Sequence, residues 1–140
     1  MLLLLITVIP IIGALIALIF RNKNLNIPLL TSTIVLIISF LGLKSVSGGE
    51  SIFYKLPLDG PFVPTFRADP LSVIFVVLAA FLWVPVSLYA PRYMKHEGRL
   101  NLFNICTLLV LSAVLGVFLA GDLFTMLLFF ELMTITSYFW

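Results

Sequence analysis

"AGDLFTMLLFFELMTITSYFW", residues 120–140, decides how the rest of the chain is read. From Leu123 onward it has the apolarity of a membrane-spanning helix, which needs about 20 mostly apolar residues. Gly121 breaks the chain before it, and Asp122 is a natural cap for its first turn. One residue inside the run does not belong in hydrocarbon: Glu131. Asp122 and Glu131 are nine residues apart, which at helical rise is roughly 13–14 Å, close to half the hydrocarbon thickness. With Asp122 at the outer interface, Glu131 falls near the midplane. Nine residues also turn a helix by about half a revolution beyond whole turns, so the two acids face opposite ways. Thr134 and Tyr138 follow Glu131 at i+3 and i+7 and share its face.

A carboxyl at bilayer depth costs a few kcal/mol or more, so it normally faces protein and has a role. Desolvation favours its neutral form and a nearby cation its charged form. A group held between the two can take up and release a proton. The alternative is a neutral glutamic acid that hydrogen-bonds a neighbouring helix. Lys44, Arg67 and Arg92 all stand at helix ends. A cationic partner for Glu131 must therefore come from another segment or another polypeptide. The face bearing Glu131, Thr134 and Tyr138 is expected to be covered by protein.

The whole chain supports a membrane reading. Of 140 residues, 62% are hydrophobic and 10% charged, with a mean hydropathy of +1.24. Soluble domains are about 45–50% apolar and about 25% charged. The net charge of +2 comes from scattered loop residues, so nucleic acid is not an expected partner; the lipid bilayer is. The single cysteine, Cys106, lies in an apolar run with no metal-ligand spacing and reads as a buried small residue. No metal cluster, nucleotide loop or nucleophile–base set is present, and no cofactor is expected.

Working back from the last segment, the expected fold is an all-α membrane protein with five transmembrane helices in a single domain. They are placed at about 1–20, 28–46, 70–90, 102–120 and 122–140. The first, "MLLLLITVIPIIGALIALIF", has no charge before Arg21 and no convincing cleavage site, and is read as a retained helix. Pro28 and Pro70 suit first helical turns, and Asp69 an N-cap. Pro85 suggests a kink. Asn101 and Asn104 read as a capped start of the fourth helix. Between the second and third helices, "SIFYKL" and "FVPTF" have strand composition and "LDGP" is a turn signal, so a short hairpin at the membrane surface is expected. Arg67 can pair with Asp69. Trp83, Tyr89 and Tyr93 read as packing or interfacial aromatics, Thr107 and Ser112 as backbone-bonded or helix-contact residues, and His96 as a solvated loop residue. Asp69 and Asp122 read as caps before proton sites.

Loop charges set the orientation. Arg21 and Lys23 mark the first loop; Arg92, Lys95 and Arg99 against Glu97 mark the third. Both are placed in the cytoplasm, with the N-terminus outside, the C-terminus inside and the hairpin loop extracytoplasmic, in a cell-membrane protein. The hairpin loop, with Lys44, Lys55 and Arg67 beside Glu50, Asp59 and Asp69, follows this rule less cleanly.

"FRADPLSVIFVVLAAFLWVPVSLYAPRYM", residues 66–94, resembles the third-helix signature of the antiporter-like subunits of respiratory complex I, Mrp-type sodium/proton antiporters and energy-converting membrane-bound hydrogenases. The pattern is Asp69, Pro70, Leu71 and Ser72 opening a helix that closes on Tyr89 to Met94. "GVFLAGDLFTMLLFFELMTITSYFW" is similar to that family's fourth-to-fifth helix stretch, with "ELMTITSY" closest to the hydrogenase and Mrp branches. The resemblance maps the family's essential glutamate onto Glu131, with Asp122 as the outer-edge acid that precedes its helix. It implies a buried lysine on a later helix as partner, and proton or sodium movement driven in part by that pair. It also implies other membrane subunits of a complex I-like, Mrp or hydrogenase assembly, which would hold any redox chemistry. The chain would then be non-catalytic by itself. The family's later helices are not in these 140 residues. A split subunit, a fragment and a reduced structural subunit are all compatible, and the end at Trp140, where the fifth helix reaches the inner face, favours a split or reduced subunit.

Overall fold

The computed structural model describes residues 2–19, 26–46, 48, 49, 51–57, 59, 60, 62–94 and 98–139. Arg21, Lys23, Glu50, Lys95, His96 and Glu97, which the loop reading uses, lie outside the described residues. The order of elements is α1 (Leu2–Ile19), α2 (Ile27–Val46), β1 (Ile52–Lys55), β2 (Thr65–Ala68), α3 (Pro70–Tyr93), α4 (Leu100–Phe118) and α5 (Leu123–Phe139). α2, α3 and α4 are long and apolar enough to cross a membrane; α1 and α5 are shorter apolar helices.

Local chemistry sets the helix ends. Pro70 opens α3 at its first turn, where no donor is lost. Asp69 before it is extended, at φ −96° and ψ 159°, as a residue preceding proline must be. Its carboxylate does not cap the helix: Oδ1 accepts from Arg67 Nε at 2.9 Å. The expected cap is thus an ion pair. α3 continues through Pro85 and Pro91 to Tyr93, three residues beyond the expected end. α4 starts at Leu100, earlier than expected, and Arg99 holds the N-cap position with no side-chain cap bond. Asn101 lies inside the first turn, so the expected asparagine cap is corrected. The reason is Gly98, whose φ of +69° turns the chain tightly enough for the helix to begin at once.

α4 is the centre of the bundle. It packs on α1, α3 and α5 and touches α2, and α2 also lies against α1 and α3. Each main contact has its own key. Ser112 Oγ donates to the Thr7 carbonyl on α1 at 2.7 Å. Trp83 Nε1 on α3 donates to the Thr107 carbonyl at 3.0 Å. Ser32 on α2 meets Ser87 on α3 at 3.5 Å. Gly13 on α1 leaves room for Thr31 on α2, and Gly116 on α4 for Phe129 on α5. Small residues and single hydroxyls at helix crossings are how helices associate where lipid removes the hydrophobic drive between them. The outer faces carry exposed Leu15, Ile37, Phe40, Phe81 and Leu88, an apolar shell that suits acyl chains rather than water.

β1 and β2 pair antiparallel, from Ile52 opposite Ala68 to Lys55 opposite Thr65. β2 begins later than the composition suggests, because Pro64 has no N–H to give; its carbonyl accepts from Leu56 instead. Phe66 and Ala68 point into the core with Val73, Val76, Leu115 and Leu119, while Arg67 lies outside over the Phe53 ring at 5.6 Å. The free edge of β2 meets the α4–α5 turn: Arg67 N–H donates to Leu119 O, and Gly121 N–H to Thr65 O, both at 2.8 Å. The hairpin and the α4–α5 turn therefore share one end of the bundle.

Candidate functional site

The candidate site is built on α5. Its inward face is Thr125, Phe129, Leu132, Met133 and Thr136, with both threonines buried. These positions follow the i, i+4, i+7, i+8, i+11 spacing of one helix face. Glu131 is the ninth of the seventeen residues in α5, so the helix places it halfway along an axis of about 25 Å. It points away from α4 and is exposed, as are Thr134 and Tyr138, the latter at 86%. The three polar side chains share the one face of α5 that this chain leaves uncovered. The expected protein cover of that face does not come from these residues.

Among the described residues Glu131 has no hydrogen-bond or ion-pair partner. Thr134 does not donate to it. The threonine hydroxyl turns to the Phe130 carbonyl of its own helix at 3.0 Å, leaving its oxygen able only to accept. Tyr138 stacks edge-on against Phe139, with its ring outward.

Asp69 and Asp122 lie elsewhere, at the hairpin end. Asp122 caps α5, as expected: its Oδ1 accepts from the Thr125 N–H at 2.6 Å. Thr125, by side chain and then by backbone, holds the Asp122 carboxyl below its ordinary value, with a smaller contribution from Thr65; slight burial works the other way. The structure thus separates the predicted residues, with Asp69 and Asp122 at one end of the bundle and Glu131, Thr134 and Tyr138 on the open face of α5. Sequence reasoning misses Thr65 and Thr125. Thr125 is fully buried, and its Oγ1 accepts the Thr65 N–H at 2.8 Å. The available signal is "DLFT", an Asp at the cap and a hydroxyl residue three positions on.

No group of three or more His, Cys, Asp or Glu able to hold a metal occurs among the described residues. Cys106 is free and buried in α4.

Residues 61–104 match the family described as NADH-ubiquinone oxidoreductase (complex I), chain 5 N-terminus. That match contains Asp69 and the whole of α3 but not Glu131. A subunit of the Na(+)/H(+) antiporter of Bacillus subtilis is 34% identical over 139 residues, covering 93% of this chain and 27% of that protein. The chain belongs to the antiporter-like subunit family. Subunit M of the NADH-quinone oxidoreductase of Escherichia coli K12 is 32% identical to this antiporter-like chain over 93 residues, or 61% of this chain and 18% of that one. The fold recurs in the membrane-bound sulfane sulfur reductase, an archaeal respiratory membrane complex, with a TM-score of 0.88 at 18% identity over 97% of this chain and 29% of that chain. The antiporter-like chain thus spans about a quarter of the length of the B. subtilis relative, and these relatives are named as parts of larger assemblies.

Proposed function

We propose that this chain is a subunit of a multi-subunit respiratory or antiporter membrane complex that takes part in proton or sodium translocation, with Glu131 as its ion-pathway carboxylate. The observation that carries the reading is a lone carboxylate at the centre of an apolar helix, on the face its own chain leaves open, with Thr134 and Tyr138 beside it. A carboxylate at that depth is too costly to face acyl chains without a partner. The partner is a buried lysine on a further membrane segment, which closes over α5 and completes the pathway. In this reading all five helices cross the membrane. The hairpin and the α4–α5 turn lie outside, which accords with their meeting at one end. The end bearing Arg92 and Arg99 lies in the cytoplasm, as does the C-terminus.

A second reading has one observation in its favour. No cation among the described residues pairs with Glu131. On that reading the chain is a structural or assembly subunit and the glutamic acid hydrogen-bonds a neighbour. Ion transport by vesicles carrying the assembled complex separates the two. Glu131→Gln is expected to abolish transport while the complex assembles normally. Unchanged transport in a normally assembled Glu131→Gln complex leaves only the structural role.

A further inference from the structure

α5 is an edge helix. Of the other helices it leans chiefly on α4, and it buries only Thr125 and Thr136. Within this chain α5 is supported from one side only, so until a further segment covers its open face the helix can rotate about its own axis. At the 5–6 Å radius of side-chain tips, a rotation of roughly 30° moves a group by about 3 Å, a full hydrogen-bond length. Something must therefore fix the direction in which Glu131 faces, and the packing on α4 is a narrow base for it.

The hairpin supplies the missing constraint. Thr65 and Arg67 both turn their N–H groups away from β1 and toward α5 and the turn before it. Arg67 N–H goes to Leu119 O and Thr65 N–H to Thr125 Oγ1. The Thr65 carbonyl accepts from Gly121, and Thr125 N–H in turn goes to Asp122 Oδ1. A side chain on the first turn of α5 is thus tied to a strand that is itself paired on both edges. One turn further along the same face, Phe129 lies over Gly116, so closely that even a Cβ there would run into the ring. Two fixed points on one face define the rotation of the helix. Glu131 lies six residues beyond Thr125, about 120° from that line by the helical repeat.

We propose that Thr125, held by the Thr65 backbone N–H, is a positioning residue for Glu131: the surface hairpin sets the rotation of α5 and so the direction of its mid-helix carboxylate. The inference rests on the ion-pathway reading of Glu131, but its geometric half can be measured without it.

The test uses the assembled complex in its native membrane. Thr125→Val keeps the shape of the side chain and removes the acceptor for Thr65 N–H. Thr125→Ser keeps the acceptor. Thr136→Val is the control, since Thr136 is buried on the same face but its hydroxyl donates only to Leu132 O of its own helix. A spin label attached through Glu131→Cys, in a Cys106→Ala background, reports the surroundings of position 131. Transport is measured in parallel with Glu131 in place. Thr125→Val is expected to change the label's accessibility to oxygen and to a polar nickel chelate, and to lower transport about tenfold or more, the scale of a misplaced reacting group. Thr125→Ser and Thr136→Val should resemble the parent in both. The proposal is overturned if Thr125→Val moves neither readout, if the label moves while transport holds, or if Thr136→Val has the same effect. If Thr125→Val fails to assemble, Gly121→Ala carries the same two readouts, because its Cβ would stand 2.9 Å from Thr65 Oγ1 and displace the strand. A label that moves as expected while Glu131→Gln leaves transport intact would retain the hairpin's hold on α5 and remove the ion-pathway reading alone.

Discussion

α4 and α5 are adjacent, similarly apolar helices of 19 and 17 residues, and the bundle treats them differently. α4 is enclosed by three neighbours. Its polar groups are spent inside the chain, with Ser112 on the Thr7 carbonyl and the Thr107 carbonyl on Trp83. α5 is enclosed on one side only, and its one charged residue faces outward. Apolarity assigns both helices to the same environment. The fate of their polar groups separates a helix whose polar groups are satisfied within this chain from one whose carboxylate is not.

The contrast is broken most sharply by exchanging the kinds of damage. Glu131→Gln should lower ion transport by at least about a hundredfold, the range of a lost proton-transfer group, with no change in the thermal stability of the purified complex. Gly116→Leu should do the reverse. A side chain there would enter the Phe129 ring, and overpacking of this kind costs about 1–3 kcal/mol. A lower unfolding temperature for the assembled complex would register it. If Glu131→Gln destabilised the complex as much as Gly116→Leu, α5 would be as structural as α4 and the contrast would vanish.

Much of this is legible in the sequence. The five helices, the hairpin and the central position of Glu131 follow from apolar length, proline placement and the 3.6-residue repeat. Asp122 as the cap of α5 follows from "AGD", and the structure has that bond. The rest depends on which of several available partners a polar group takes. Asp69 has the sequence of a cap, but its carboxylate goes to Arg67. Asn101 has the sequence of a cap, but Gly98 lets the helix start earlier. Thr134 has the spacing of a donor to Glu131, but its hydroxyl satisfies a carbonyl four residues back, the default for threonine inside a helix. Thr125 gives no hint of Thr65, because the contact crosses 60 residues.

A smaller effect sharpens the account of α4. Ser112→Ala removes the hydroxyl that joins α4 to α1 without changing the shape of the crossing. Interhelical hydrogen bonds in membrane proteins are worth about 0.6 kcal/mol, with larger cases near 1.7. The expected loss of stability is of that size, with transport unchanged. A loss as large as that of Gly116→Leu would mean that the α1–α4 crossing rests on this one bond and not on its packing.

The smallest effect concerns the end of α5 and carries a sign that can be checked. Asp122 is held below its ordinary value of 3.8, chiefly by Thr125. A carboxylate whose folded value is depressed stabilises the fold fully above its unfolded value, and that contribution is lost as pH falls through the folded one. Asp122→Ala removes an N-cap, for which the usual cost is about 1 kcal/mol; solvent screening at this exposed site should make the charge-dependent part smaller. The difference in stability between parent and Asp122→Ala should therefore be level at neutral pH and shrink as pH drops below 3.8. Melting curves of the purified complex at neutral and acid pH would show it. A difference that stayed constant into acid would assign the cap's value to the geometry of the Asp122–Thr125 turn and not to its charge. Asp122 would then be an anchor whose charge is incidental, in contrast to the role proposed for Glu131.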